Sequence, residues 1–114
     1  MSILQILKVI GALLTIGTGL ISVFFPQGVT GFTGLAPQGG RGITEIRAVL
    51  GGLFVALGAA PLLLNNPAAY QMLGLAYLTI GIVRLISMIV DKSVVSSNVI
   101  SLIFEFVFGA ILVL

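Results

Sequence analysis

Apolar residues run in four long blocks along the chain, separated by stretches in which glycine, proline and polar residues collect. The blocks cover about residues 3–25, 43–64, 68–90 and 98–114. Each is close to the ~20 residues that a helix needs to cross a hydrocarbon layer of roughly 30 Å. Because a segment that spans lipid must satisfy its backbone hydrogen bonds internally, the pattern predicts four transmembrane α-helices.

The connections between the blocks differ in length and composition. Residues 26–42 are rich in Gly, Pro, Gln and Thr and form the only long loop that the pattern predicts. Asn65, Asn66 and Pro67 predict a tight turn between antiparallel helices, and residues 91–97 predict a short polar link. The sequence therefore predicts one domain over residues 1–114, an all-α membrane protein with its four helices in an up-and-down bundle.

The composition is consistent with a lipid environment and excludes several kinds of metal site and catalytic site. Hydrophobic residues make up 59% of the chain and charged residues 7%, with a mean hydropathy of +1.30. A soluble domain carries about 25% charged residues. The absence of Cys and His excludes the usual zinc sites, His-ligated haem, Cys nucleophiles and Ser-His-Asp triads. We therefore expect no metal and no cofactor. The small net charge of +2 and the scattered basic residues predict no nucleic-acid partner.

The few basic residues predict an orientation in the membrane. Lys8 lies inside the first apolar block, which favours a true span over a signal peptide, whose basic residues precede the apolar run. Four spans place both termini and the Asn65 turn on one side. The other side holds or approaches four of the five basic residues: Arg41, Arg47, Arg84 and Lys92. The positive-inside rule then predicts that both termini are non-cytoplasmic.

The ionisable side chains in or beside the spans carry most of the functional information, since each is costly in lipid. They all belong to one half of the predicted bundle: Glu45, Arg47, Arg84, Asp91 and Glu105. Arg84 and Glu105 have similar predicted depths, so we expect them to pair, with Glu45 or Asp91 as a second partner. Such a pair can fix the helix register or form part of a ligand site, and the sequence leaves both open.

Polar and small residues form stripes along each span. The third span has the clearest one, with its polar members at intervals of seven: Tyr70, Tyr77, Arg84 and Asp91, with Ser87 beside them. Gly74 and Gly81 lie on the same face. The fourth span repeats the pattern with Asn98, Ser101, Glu105 and Gly109. These faces are predicted to point inward, where glycine permits close backbone approach.

The first two spans carry stripes of small residues. In the first span the stripe is uncharged: Gly11, Thr15, Gly19 and Ser22. In the second it comprises Glu45, Ala48, Gly52, Ala56 and Ala59. Gly52, like Gly74 and Gly81, is therefore predicted to lie at a helix contact. Glu45 is expected to face the bundle, and Arg47, on the opposite side of the helix, to reach towards the headgroups. Tyr77 lies mid-membrane, so its hydroxyl needs a Thr or Ser on a neighbouring helix.

Several of these residues also carry a family resemblance over nearly the whole chain. The chain resembles the small bacterial four-helix membrane proteins grouped as domain of unknown function 4345. The features that carry the resemblance are Gly19-Leu20, Phe25-Pro26, Glu45-Ile46-Arg47-Ala48, Gly51-Gly52, Arg84 with Ser87 and Asp91, and Glu105. Val83 and Lys92 depart from the family pattern, which has glycine there. The resemblance implies four spans in a bacterial inner membrane and a shared charged cluster, and it implies no reaction.

These observations favour a non-enzymatic membrane protein, either a structural or accessory subunit or a binder of a lipid headgroup at the charged half of the bundle. The alternative is a small oligomeric proton-coupled transporter in which Glu45 and Glu105 relay protons. An enzyme is a third hypothesis, for which the residues suggest no reaction. The expected partners are membrane lipids and either another membrane protein or a second copy of this chain.

A cavity distinguishes these hypotheses. A lateral opening lined by Arg84 would favour lipid binding, and a wet cavity reaching Glu105 would favour transport. A dry, filled core would favour a purely structural role.

Overall fold

The computed structural model describes residues 1–114 and contains four long helices and no strand. They are α1 (Ile3–Phe24), α2 (Gly39–Leu64), α3 (Pro67–Val90) and α4 (Ser96–Val113). Each is long and apolar enough to cross a membrane. The molecule is 43 Å in its longest dimension, which exceeds the ~30 Å hydrocarbon thickness of a bilayer. The predicted all-α fold with four spans is confirmed.

The turn between α2 and α3 is as short as the sequence indicates. Asn65 ends α2 in the left-handed conformation, with φ of 49°, and its N–H donates to the Pro61 carbonyl at 3.1 Å. The Asn66 side chain then accepts a hydrogen bond from the N–H of Ala68 at 2.8 Å. Asparagine tolerates the left-handed conformation and caps helices well, so two such residues can reverse the chain without a longer loop.

The connection between α1 and α2 is more ordered than the predicted loop over residues 26–42. A 3₁₀ turn covers Pro26–Val29 and a single α-helical turn covers Thr30–Thr33. Helix α2 begins at Gly39, four residues before the predicted start. The 3₁₀ turn folds against the end of α1 and the following turn contacts α4. Val29 is completely buried as a result.

The helices pack as two close pairs, α1 with α2 and α3 with α4, with lighter contact between the pairs. Glycines occur where the backbones of each pair meet. A methyl group added to Gly58 of α2 would lie 2.6 Å from the Ala12 carbonyl of α1, and one added to Gly74 of α3 would lie 2.9 Å from the Gly109 carbonyl of α4. Gly81 faces the Phe106 ring, 3.1 Å from such a methyl group. Only glycine allows the backbone spacing at Gly58 and Gly74, whereas a methyl group at Gly81 would require a small shift of the Phe106 ring.

Helix α2 presents a different face from the one predicted. Residues Ile46–Leu53 form a π-helix, in which the backbone hydrogen bonds run from i to i+5. The buried residues there are Ile46 and Gly51, five positions apart, rather than the stripe through Glu45 and Gly52. Gly52 is exposed, and the nearest atom to an added methyl group is 3.8 Å away in its own helix. The prediction that Gly52 lies at a helix contact is wrong, because the predicted stripe faces outward: Glu45, Ala48, Gly52 and Ala56 are all exposed.

We expect Gly58→Ala to lower the thermal stability of the protein in detergent. Its methyl group would overlap the α1 backbone, and overpacking of this kind costs about 1–3 kcal/mol. Gly52→Ala is the matched control in the same helix, and it should be neutral or slightly stabilising because alanine is the better helix former. Thermal unfolding followed by circular dichroism measures both, and equal melting temperatures for the two variants would contradict this packing.

Candidate functional site

The centre of the charged half of the bundle is an ion pair between α3 and α4. Arg84 Nε donates to Glu105 Oε1 and Arg84 Nη2 donates to Glu105 Oε2, both at 2.8 Å. The guanidinium fork thus engages both carboxylate oxygens, which is the strongest geometry for such a pair. The Glu105 side chain is 8% exposed and that of Arg84 29%. The acid is therefore enclosed, while the arginine reaches the molecular surface.

The antiparallel arrangement of α3 and α4 explains why these two side chains meet. Arg84 lies about 9 Å from the end of α3, and Glu105 lies about 13 Å from the start of α4. Side chains in a helix lean towards its N-terminus. Arg84 therefore leans deeper into the bundle, and Glu105 leans back towards the helix ends. The two long side chains converge from different depths.

The second partner of Arg84 is Asn98. Arg84 Nη1 donates to Asn98 Oδ1 at 2.9 Å, and Asn98 Nδ2 donates to the Ser93 carbonyl at 2.9 Å. Asn98 shares the polar face of α4 with Glu105, so the spacing of seven in the sequence was a signal for it. The amide holds the guanidinium in place and also ties the α3–α4 link to the start of α4.

Neither Glu45 nor Asp91 takes part in this network, so both predictions of a second acidic partner are wrong. Glu45 faces outward and pairs with Arg41, one helical turn away on the same exposed surface. Asp91 ends α3 and accepts a hydrogen bond from the Ser87 hydroxyl at 2.6 Å. Because the acids are dispersed in this way, no group of three His, Cys, Asp or Glu side chains is placed to hold a metal ion.

The Tyr77 hydroxyl links the two helix pairs. It lies 2.5 Å from the Thr15 hydroxyl of α1, which donates to the Gly11 carbonyl at 2.8 Å. Since the single Thr15 proton is used in that bond, Tyr77 is the donor to Thr15. The Tyr77 ring also meets Phe104 of α4 edge-on, with centroids 5.4 Å apart. Tyr77 thus contacts both α1 and α4 near the middle of the bundle.

The hydrocarbon stem of Lys8 lies on the buried face of α1, a position that the sequence analysis did not predict. The residue is 9% exposed; its ammonium group forms neither an ion pair nor a hydrogen bond with the chain, and it reaches the molecular surface at the end of the buried stem. It lies one heptad before Thr15 on the buried face of α1, so that face is not uncharged as predicted. The spacing from Thr15 was the signal. Lys8 lies at the opposite end of the bundle from Arg84.

A groove of about 390 Å³ opens on the outer surface beside the ion pair, and we call it the α3–α4 groove. Four of its six lining residues have polar side chains, and the lining comprises Thr79, Ile80, Val83, Arg84, Ser87 and Asn98. The opening is lateral, and Glu105 is not part of the lining. Arg84 is therefore the charged group that an occupant of this groove would meet.

A second groove, of about 350 Å³, lies where the end of α1 meets α2, and we call it the α1–α2 groove. Its lining comprises Phe24, Phe25, Pro26, Gln27, Gly28, Ile43 and Arg47. The exposed Arg47, predicted to reach the headgroups, is its only charged residue. Both grooves lie on the side of the bundle that holds the α1–α2 and α3–α4 connections.

A comparison with known families finds one match. The family model described as "Domain of unknown function (DUF4345)" matches residues 3–114. No curated protein and no solved structure matches the chain. The match therefore supports the four-helix unit as a whole, and it brings no activity with it.

We expect the Arg84–Glu105 pair to show strong coupling in a double-mutant cycle. Arg84→Met or Glu105→Gln alone should cost roughly 3 kcal/mol or more, because the surviving group is left without its partner in a low-dielectric interior. The double variant should lose less than the sum of the two. Folded yield and melting temperature in detergent measure the cycle, and additive losses would show that the two groups do not stabilise one another.

We expect Lys8→Met to raise the melting temperature. Methionine retains the packing of the buried stem and removes an ammonium group that has no partner within the chain and lies among apolar residues. Lys92→Met, at an exposed turn position, is the control and should have little effect. A loss of stability in Lys8→Met would instead mean that the amine has a partner outside the chain.

Proposed function

The chain belongs to the family described as domain of unknown function 4345, and from that premise we propose that it is a non-catalytic membrane protein that binds a phospholipid headgroup in the α3–α4 groove. The observation that carries the proposal is the lateral groove with Arg84 in its wall. A groove that opens sideways from a membrane span faces lipid molecules before it faces any solute.

Arg84 has hydrogen-bonding capacity left for a ligand. A guanidinium group has five N–H donors. Three of them are used, two towards Glu105 and one towards Asn98. Two remain for the groove, and the oxygens of a phosphodiester are suitable acceptors. The ion pair with Glu105 also orients the guanidinium before any ligand arrives, which reduces the entropic cost of binding.

The groove also has the depth and lining of a lipid site. Arg84 lies about 9 Å along α3 from its end, below the level of the headgroups but within reach of a phosphate drawn inward. Thr79 lies about 8 Å deeper than Arg84, so the groove continues towards the middle of the membrane. Val83 beside Arg84 and Ile80 nearer Thr79 offer apolar surface to an acyl chain.

The local charge balance favours a zwitterionic headgroup in this groove. Glu105 compensates the charge of Arg84, and Asp91 lies next to Ser87 at the rim. A headgroup with both a phosphate and an amine finds hydrogen-bond donors and an acid there. An anionic headgroup would find no uncompensated cation among the lining residues.

The arrangement of the acids speaks against the transporter alternative. Both oxygens of Glu105 are bonded to Arg84, and Glu45 lies on the outer surface with Arg41. The two carboxylates therefore share no interior path along which a proton could move. As part of the proposal, we assign both grooves to the cytoplasmic leaflet, since four of the five basic residues lie on that side.

We expect Val83→Trp to abolish retention of phospholipid in the α3–α4 groove. Val83 lines the groove and is 61% exposed, so an indole ring can fill the space without entering the core. Ile82→Trp is the control, since Ile82 is 54% exposed and lies outside the lining. Phospholipid per protein is measured by native mass spectrometry after washing in detergent.

The wild type and Ile82→Trp should retain a zwitterionic phospholipid, and Val83→Trp should lose it. Equal retention by the two tryptophan variants would mean that the lipid binds elsewhere. A wild-type protein that retains no lipid under mild washing would contradict the proposal outright.

A further inference from the structure

The α1–α2 groove differs from the α3–α4 groove in that its arginine is not paired with an acid. Its only charged residue, Arg47, forms no ion pair and no hydrogen bond. The other two arginines are each paired with an acid: Arg84 forms a salt bridge with Glu105, and Arg41 forms one with Glu45. The α1–α2 groove therefore contains a cation that nothing in the chain neutralises.

The packing of α1 against α2 places this cation at the level where α1 ends. A methyl group added to Gly51 would lie 2.6 Å from the Val23 side chain, so these two residues are at the same height. Arg47 is one helical turn before Gly51, and Gln27 is one turn beyond Val23. Because the helices are antiparallel, Arg47 and Gln27 lie at similar heights just beyond the end of α1, where we expect the membrane–water boundary.

The rest of the groove is apolar on the membrane side. Phe24 and Phe25 are 67% and 68% exposed at the end of α1, and Ile43 lies one turn before Arg47 on α2. An unpaired guanidinium above exposed aromatic and aliphatic surface matches the two parts of a lipid, an anionic headgroup and the acyl chains next to it. A small inorganic anion would use only the first of these.

We propose that the α1–α2 groove binds the headgroup of an anionic phospholipid, with Arg47 as the counter-charge to its phosphodiester. Phe24, Phe25 and Ile43 contact the upper part of the acyl chains, and the Gln27 amide lies beside the glycerol linkage. No acid lines the groove, so the amine of a zwitterionic headgroup finds no partner there. The protein then has two lipid sites on the same side, one selective for zwitterionic and one for anionic headgroups.

The test is the stabilisation of the purified protein by added lipid in a neutral detergent. Phosphatidylglycerol should raise the melting temperature of the wild type in a concentration-dependent manner, since a ligand that binds only the folded state stabilises it. Arg47→Gln should bind this lipid roughly fivefold more weakly, the loss expected for one basic residue near a lipid phosphate. Lys92→Gln is the matched control, because it removes an exposed unpaired cation that lines neither groove.

Equal weakening in Arg47→Gln and Lys92→Gln would overturn the proposal, because the lipid would then respond only to the overall charge. Ile43→Trp fills the groove without changing the charge, and it should also abolish the effect of phosphatidylglycerol. Inorganic phosphate at the same concentration should not stabilise the protein, and full stabilisation by phosphate would overturn the lipid assignment. Val83→Trp should leave the response to phosphatidylglycerol intact. The proposal for this site and the proposal for the α3–α4 groove are therefore tested independently.

Discussion

Charged groups in a lipid-filled environment have no water to bind, and this constraint explains the arrangement of α3 and α4. Arg84 and Glu105 are each costly to bury alone, and together they form two hydrogen bonds that satisfy the carboxylate. The same pairing fixes how far α3 and α4 can slide past one another. It also leaves one edge of the guanidinium pointing outward, and the proposed lipid site depends on that edge.

Close backbone contact, rather than hydrophobic burial, holds the helices of this bundle together. Only 21 of the 114 residues are buried, and most large apolar side chains point outward. In lipid, moving a leucine inward gains little, so helices associate through packing at small residues and through hydrogen bonds. Gly58 against Ala12 and Gly74 against Gly109 supply the packing, while Tyr77 and Thr15 supply the hydrogen bond between the two helix pairs.

The two grooves contain the same functional group in two electrostatic states. Arg84 is held by Glu105 and offers hydrogen bonds with little net charge, whereas Arg47 offers an uncompensated charge at the boundary. The difference arises from neighbouring residues rather than from the arginines themselves. Under the two proposals, Arg84 therefore serves a zwitterionic headgroup and Arg47 an anionic one.

The sequence by itself determined the four spans, the short α2–α3 turn and the pairing partners Arg84 and Glu105. These follow from apolar length, turn chemistry and depth along a helix, all of which are properties of residue order. The tertiary structure alone decided which faces point inward. In α2 the buried residues are Ile46 and Gly51, five positions apart across the π turn, while Glu45 and Gly52 of the predicted stripe are directed outward. Burial of Lys8 likewise depends on how α1 is rotated against its neighbours, because helical periodicity defines a face but not what packs against it.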